Sequence, residues 1–204
     1  MGLHSNIGKQ RSFEVQENGK FVLLRLQSSD DTNRLSISTV RALTREIEAL
    51  AEAGQPKPLI ITGNSRYFSV GADLNEITKL KAPAALEFAH TGQKLMQAIA
   101  DYPRTVFAAI EGHCMGGGLD LALACLRRIC APNASFGHRG AALGLMTGWG
   151  GTQRLPRLVG KGRAMQMFLT AEKVNAQQAL ATGLVEAVVN DPVTYITDVL
   201  LQSL

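Results

Sequence analysis

Glu111-Gly112-His113-Cys114-Met115-Gly116-Gly117-Gly118-Leu119-Asp120-Leu121-Ala122-Leu123-Ala124 joins an apolar, strand-like run, Val106 to Ile110, to an apolar, helix-like run. Glycines carry no Cβ, so a ligand can approach their backbone closely. The opening turn of a helix also offers N–H groups with no intrahelical acceptor. A strand–glycine–helix turn of this kind suits a negative charge developing on a ligand. Asp120 follows within one helical turn, which puts a proton carrier beside the anion cradle. The same residues read equally well as a plain glycine turn with Asp120 favouring a helix N-terminus. This stretch alone leaves both readings open.

Further upstream, Phe68-Ser69-Val70-Gly71-Ala72-Asp73-Leu74 repeats the same physics. A short apolar strand, Leu59 to Thr62, ends; a loop carrying glycine follows; an acid then begins a helix. Locally Asp73 is a helix cap, worth about 1 kcal/mol. Two such turns, each following a central strand, would aim two backbone N–H groups at one oxygen. That is an oxyanion hole assembled from distant segments.

The surrounding pattern alternates short strands with helices and predicts an α/β fold in one domain. Asn18-Gly19 marks a hairpin between Phe13–Gln16 and Phe21–Gln27. Ser36 opens a helical pattern through Val40, Leu43 and Ile47, and a second helix runs from about Ala84 to Ala100. Strands are predicted at Arg128–Ala131 and Ser135–Gly137. Helices are predicted near Thr152–Val159, Arg163–Leu169, Asn175–Thr182 and Thr194–Leu201. In the last of these, Ile196, Val199, Leu200 and Leu204 form an apolar face that must pack somewhere.

Composition narrows the class. The 204 residues are 46% hydrophobic and 19% charged, which is ordinary for a soluble globular domain. A net charge of +4 without a Lys/Arg run, and 5% aromatics, argue against a nucleic-acid surface. Cys114, Cys125 and Cys130 form no CxxC pair and read as small buried apolar residues of a reducing compartment, with no metal site. Met1 to Asn6 carry no signal-peptide pattern, and no window approaches the ~20 apolar residues of a membrane span. The expectation is a cytoplasmic protein with no membrane partner.

Taken together, Phe68–Leu74, Gly116-Gly117-Gly118-Leu119-Asp120-Leu121-Ala122 and Gly150-Gly151-Thr152-Gln153-Arg154-Leu155-Pro156-Arg157 resemble the enoyl-CoA hydratase/isomerase (crotonase) superfamily. Leu169-Thr170-Ala171-Glu172 and Ala179-Leu180-Ala181-Thr182-Gly183-Leu184-Val185 match its next blocks, in order. The resemblance runs from about Phe13 to Val189, leaving residues 190–204 as a partial C-terminal helix. It implies a spiral of ββα units with two roughly perpendicular sheets, and an assembly of trimers or paired trimers. It also implies an acyl-CoA thioester as substrate, with coenzyme A belonging to the substrate and no separate cofactor. By position, Ala72 and Gly117 would supply the oxyanion N–H groups, with Asp120 as the acid/base. Asp73, Leu74 and Asn75, together with Asn33 and Arg34, would contact the coenzyme A moiety.

The chain also departs from that pattern. Hydratases of the family grip a water between two glutamates. Asp120 stands at the first position, one methylene shorter, and Gly140 stands at the second, where nothing can move a proton. Ordinary hydration is therefore expected to be impaired. Decarboxylation or hydrolysis of a thioester, or an acyl-CoA-binding role without turnover, are the alternatives, and Gly140→Glu is expected to restore some hydratase activity. His138 and Arg139 are the possible substitutes beside the gap, a histidine base and a guanidinium for a carboxylate or phosphate. Strand alternation allows only one of them to face the pocket, and a structural or solvent-facing His138 is the plainer reading. Trp149 is placed to wall the acyl pocket or to fill the core, and His113 reads as a satisfied structural histidine. The C-terminal helices that usually cover the family's site are shortened here. The expected pocket is accordingly more open, or covered by the oligomer.

Overall fold

The computed structural model describes residues 12–203, so Met1 to Asn6 and Leu204, invoked above, lie outside the described residues. Strands β1 (Phe13–Glu17) and β2 (Val22–Leu26) form the antiparallel hairpin, with Phe13 opposite Leu26. Its turn differs from the expected tight Asn-Gly loop. Asn18 Oδ1 accepts from the Lys20 and Phe21 amides, both at 2.8 Å, and Gly19 is not in the left-handed region. The asparagine side chain, not glycine's conformational freedom, closes the hairpin.

The chain continues through β3 (Arg34–Leu35), α1 (Ile37–Glu52), β4 (Leu59–Thr62), β5 (Tyr67–Ser69), β6 (Gly71–Ala72), α2 (Leu74–Ile77) and α3 (Ala82–Ala100). Next come β7 (Val106–Ile110), β8 (His113–Met115), α4 (Gly117–Ala124), β9 (Arg127–Cys130), β10 (Ser135–Gly137) and a 3₁₀ turn over Arg139–Leu143. It ends with α5 (Gly151–Val159), α6 (Lys161–Thr170), β11 (Val174–Asn175), α7 (Ala176–Ala181), β12 (Ala187–Val188) and α8 (Pro192–Tyr195).

Pairing turns this order into a spiral. In each of the pairs β4/β5, β7/β8 and β9/β10, the first strand joins a sheet of order β1-β2-β4-β7-β9-β12. The second joins a sheet of order β11-β10-β8-β5. Within each sheet these strands run parallel, as in Ile60 opposite Phe107 and Ser135 opposite His113. Each turn of chain thus adds one strand to each sheet and then crosses back, which is the crotonase-type architecture that the motifs imply.

The centre of the large sheet, β4 and β7, is buried on both faces, and period-2 alternation sorts its side chains into two cores. Leu59, Ile61, Val106 and Ala108 face the main core, with Val40, Leu43 and Ile47 of α1 and Leu95 of α3. Ser36 Oγ caps α1 by accepting from Thr39 N at 3.2 Å. Ile60, Phe107, Ala109 and Ile129 face a second, smaller core that Ile196 and Leu200 complete.

The apolar C-terminal face therefore covers the back of the large sheet, while Val199 stays half exposed at 51%. The segment is not one α-helix as expected. After α8, residues 196–200 are π-helical and 201–203 are 3₁₀. Ile196 is fully buried, so Ile196→Ala is expected to cost about 2–5 kcal/mol through the cavity it leaves. Urea unfolding followed by far-UV circular dichroism measures this; a loss below about 0.5 kcal/mol contradicts the role given to this helix.

Candidate active site

The two glycine turns meet. Gly71 (φ 91°) follows β5, and Gly116 (φ 51°) follows β8, each in a conformation that side-chain-bearing residues rarely adopt. A Cβ on Gly71 would lie 2.7 Å from Gly117 N, and one on Gly117 would lie 3.2 Å from Ala72 N. The turns thus touch backbone to backbone. In β6, the pairing of Arg34 with Gly71 and Leu35 with Ala72 ends with Asp73 N donating to Leu35 O at 3.3 Å. Amides alternate in direction along an extended strand, so the Ala72 N–H is turned away from β3. Gly117 is the first residue of α4, where an amide has no intrahelical acceptor.

Both residues line one cavity of about 370 Å³, together with Asp120, His138, Thr147 and Trp149. Much of the remaining lining is apolar, including Leu74, Ile77, Leu80 and Phe88. The Trp149 indole packs against Gly117 and stacks on Phe88 with ring centroids 5.3 Å apart. Its Nε1 donates to Phe88 O at 3.3 Å. Trp149 is both pocket wall and core residue, and at 2% exposure only its inner edge meets the cavity.

Asp120 is 1% exposed on a helix whose residues are all buried. The Thr147 hydroxyl donates to its Oδ2. Burial pushes its pKa up to about 7, and this outweighs the opposing pull of the Thr147 hydroxyl, the Arg154 charge and the Gly151 amide. His138 is also buried, at 4% exposure, with Nε2 3.5 Å from Asp120 Oδ1. Burial lowers its pKa to about 4, so near pH 7 the imidazole is neutral.

His138 is not solvent-facing; it is buried against Asp120. One expectation needs correction: both His138 and Arg139 reach the cavity, because the strand ends at Gly137 and a 3₁₀ turn begins, so strand alternation no longer applies. Arg139 is exposed. Gly140 is the anticipated gap, but the chain has closed around it. Leu145 N donates to Gly140 O at 2.8 Å, and a Cβ on Gly140 would meet Leu145 O at 2.8 Å. Gly140 lines the cavity, so in Gly140→Glu the carboxylate starts beside it, but the Leu145 carbonyl must shift to make room for the new side chain.

Of the other residues singled out, Asp73 caps α2 by accepting from Asn75 N at 2.9 Å. Arg34 pairs with Asp30 at 2.8 Å and lies 3.8 Å from Asp73. Asn33 (φ 54°) donates to the carbonyls of Tyr67 and Phe68 at 2.8 and 3.2 Å and accepts from Ser28 N at 3.2 Å. Its amide group is therefore directed into the framework of the first glycine turn, not toward a ligand. Asn33, Arg34, Asp73 and Asn75 lie outside the cavity lining, whereas Leu74 is part of it. His113 Nδ1 lies 2.7 Å from Ser135 Oγ, as a satisfied structural histidine. The cysteines are buried and unbridged, and burial raises the thiols of Cys125 and Cys130 to about 12. Thr147 was not foreseen; a threonine in a glycine-rich loop, with no periodicity around it, carries no local signal.

The site thus joins two glycine turns in backbone contact to a buried acid. Residues 16–200 match the Enoyl-CoA hydratase/isomerase family. The chain belongs to that family. It is 39% identical over 176 residues to the crotonyl-CoA hydratase of Syntrophomonas wolfei, covering 86% of this chain and 68% of that one. It is 38% identical over 174 residues to the 2,3-dehydroadipyl-CoA hydratase of Escherichia coli, covering 85% and 68%. A crystal structure of enoyl-CoA hydratase from Bacillus anthracis superposes with a TM-score of 0.85 at 32% identity, over 94% of this chain and 74% of that one. The chain spans about two thirds of the length of these curated relatives. Among the described residues, no group of His, Cys, Asp and Glu is placed to hold a metal ion, and no helix is long and apolar enough to cross a membrane.

The buried carboxyl sets a pH signature. Asp120 titrates near 7 when folded and near 3.8 otherwise, so its protonated form favours folding at low pH. That contribution is lost as pH rises from about 4 through 7. Asp120→Asn removes the ionisable group, so it is expected to raise the melting temperature at pH 8 relative to the parent and to lose that advantage by about pH 4. Calorimetry at the two pH values decides; an advantage that does not vary with pH refutes the assignment.

Proposed function

We propose that this chain is an acyl-CoA enzyme that holds a thioester carbonyl between the Ala72 and Gly117 amides and stabilises the enolate formed from it. The observation carrying this is the meeting of the two glycine turns at a cavity that also contains Asp120. An enolate oxygen carries more charge than the carbonyl it comes from, so both amides bind the later species more tightly. This difference lowers the barrier. The apolar walls, with Trp149 and Phe88 at one side, suit the acyl chain.

Asp120 is the proton carrier. With a pKa of about 7 it exists in both forms near neutrality, which suits a group that must take a proton and return it. In hydration it would remove a proton from water as the oxygen bonds to the β-carbon, then deliver that proton to the α-carbon of the enolate. One group thus serves as base and then acid, in place of the family's paired carboxylates. The coenzyme A moiety would leave the cavity past Leu74 and run along Asp73, Asn75 and Arg34, with Asn33 holding the loop beneath it and Arg34 or Arg139 near phosphate.

Homotrimers or paired trimers in the cytoplasm belong to the same proposal. Support for a subunit contact comes from Met165 and Leu169, one helical turn apart on α6 and 58% and 68% exposed. A second reading, decarboxylation or hydrolysis of a CoA thioester, is favoured by one observation. The position of the second carboxylate is a glycine whose surroundings are filled by Leu145.

Incubation with crotonyl-CoA and malonyl-type thioesters, followed by absorbance and product mass, tests these readings. Hydration of crotonyl-CoA is expected, with kcat/KM falling about 10²–10⁴-fold in Asp120→Asn. Consumption of malonyl-type thioesters alone replaces hydration with decarboxylation. Binding of acetoacetyl-CoA without turnover of any thioester leaves an acyl-CoA-binding protein.

A further inference from the structure

The Asp120 carboxyl and the His138 imidazole form a closed pair. Nε2 and Oδ1 lie 3.5 Å apart, both are shut off from solvent, and neither has another hydrogen-bond partner among the described residues. At that distance the contact is slightly longer than a hydrogen bond, and a shift of about 0.5 Å makes one. No other side chain among the described residues bonds either atom, and the Gly151 amide close by pulls on the carboxyl as a whole. Thr147 occupies Oδ2, and the Gly151 backbone roofs the pair so closely that a Cβ there would fall 2.2 Å from Oδ1 and 2.9 Å from Nε2. The Phe168 ring packs on the imidazole at 5.1 Å. The other charged group acting on Asp120 is Arg154 on α5, and the buried Cys114 thiol on β8 is in turn raised by Asp120. Both atoms of the pair are thus polar, buried and unsatisfied unless they bond to each other, and such groups are strongly driven to pair.

We propose that His138 is a positioning residue of the acid/base machinery, bonding Asp120 Oδ1 in both of its protonation states by switching imidazole tautomer. When the carboxyl is protonated, its O–H donates to Nε2 of the Nδ1–H tautomer. When it is ionised, the Nε2–H tautomer donates to Oδ1. The imidazole is neutral in both states, consistent with its low pKa: as the carboxyl ionises, its proton passes along the contact to Nε2 and the Nδ1 proton leaves the ring, and reprotonation reverses both transfers. Asp120 can therefore gain and lose its proton without leaving a buried polar atom unpaired. This supplies within one site what a second carboxylate at Gly140 would otherwise share. The inference rests on Asp120 being the proton carrier of the proposed reaction.

Its test has an arm that needs no turnover. In protein labelled with ¹⁵N-histidine, the two His138 ring nitrogens are expected to exchange their NH-like and lone-pair-like shifts as pH passes through about 7, where Asp120 titrates. The exchange is expected to vanish in Asp120→Asn. Shifts that stay flat through that range, or a step that persists in Asp120→Asn, overturn the proposal, whatever thioester is or is not consumed. The second arm uses whichever thioester turns over. His138→Gln, whose amide can also donate or accept, is expected to keep the midpoint of the pH–rate profile. His138→Leu strips the ionised carboxylate of a donor and is expected to move that midpoint up by about one unit, with kcat reduced and KM little changed. A purely structural histidine would lower stability in both variants without moving the midpoint, and that result also overturns the proposal.

Discussion

Direct backbone contact between the two glycine turns is the constraint on which the site depends. Gly71 and Gly117 are each so close to the opposing segment that a methyl group at either position would press on main-chain atoms of the other turn. A side chain at Gly71 would wedge the two turns apart, and one at Gly117 would first have to displace the Trp149 indole. The spiral provides the alignment. β5 and β8 are neighbours in the small sheet, so the turns that leave them emerge side by side.

Burial on α4 then sets the electrostatics. A helix with every residue buried is an expensive place for a carboxylate, and desolvation prevails over a hydroxyl donor, an amide donor and a nearby guanidinium. The outcome is a carboxyl poised near neutrality instead of a permanently ionised one. The same dry surroundings keep His138 neutral. Two groups that would ion-pair in water therefore coexist as a neutral acid and a neutral base over part of the pH range, with Thr147 fixing one carboxyl oxygen.

Much of this was legible along the chain, for identifiable reasons. Strand and helix periodicity marked Leu59–Thr62, Val106–Ile110 and α1, because both cores draw on regular alternation. Asp73 announced its cap by its place before Leu74 and Asn75, and the ordered motif blocks carried the family and the spiral and singled out Ala72, Gly117 and Asp120, which line one cavity. The misses came where the local pattern stops being regular. His138 and Arg139 follow the last residue of a strand, and the switch to a 3₁₀ turn aims both at the cavity. Spacing also gives no sign that the Asn33 amide bonds two carbonyls thirty-odd residues further along the chain.

The sequence by itself determined which elements form and the chemical inventory: glycines that tolerate crowded, left-handed turns, one acid near them, and no side chain at position 140. Those are properties of single residues and short periods. Tertiary structure alone decided that Thr147 and His138 clasp Asp120, that Leu145 closes over Gly140, and that Ile196 seals the back of the large sheet instead of the site. These outcomes depend on distances between segments brought together by sheet pairing and two-sided burial, and no local spacing encodes such distances.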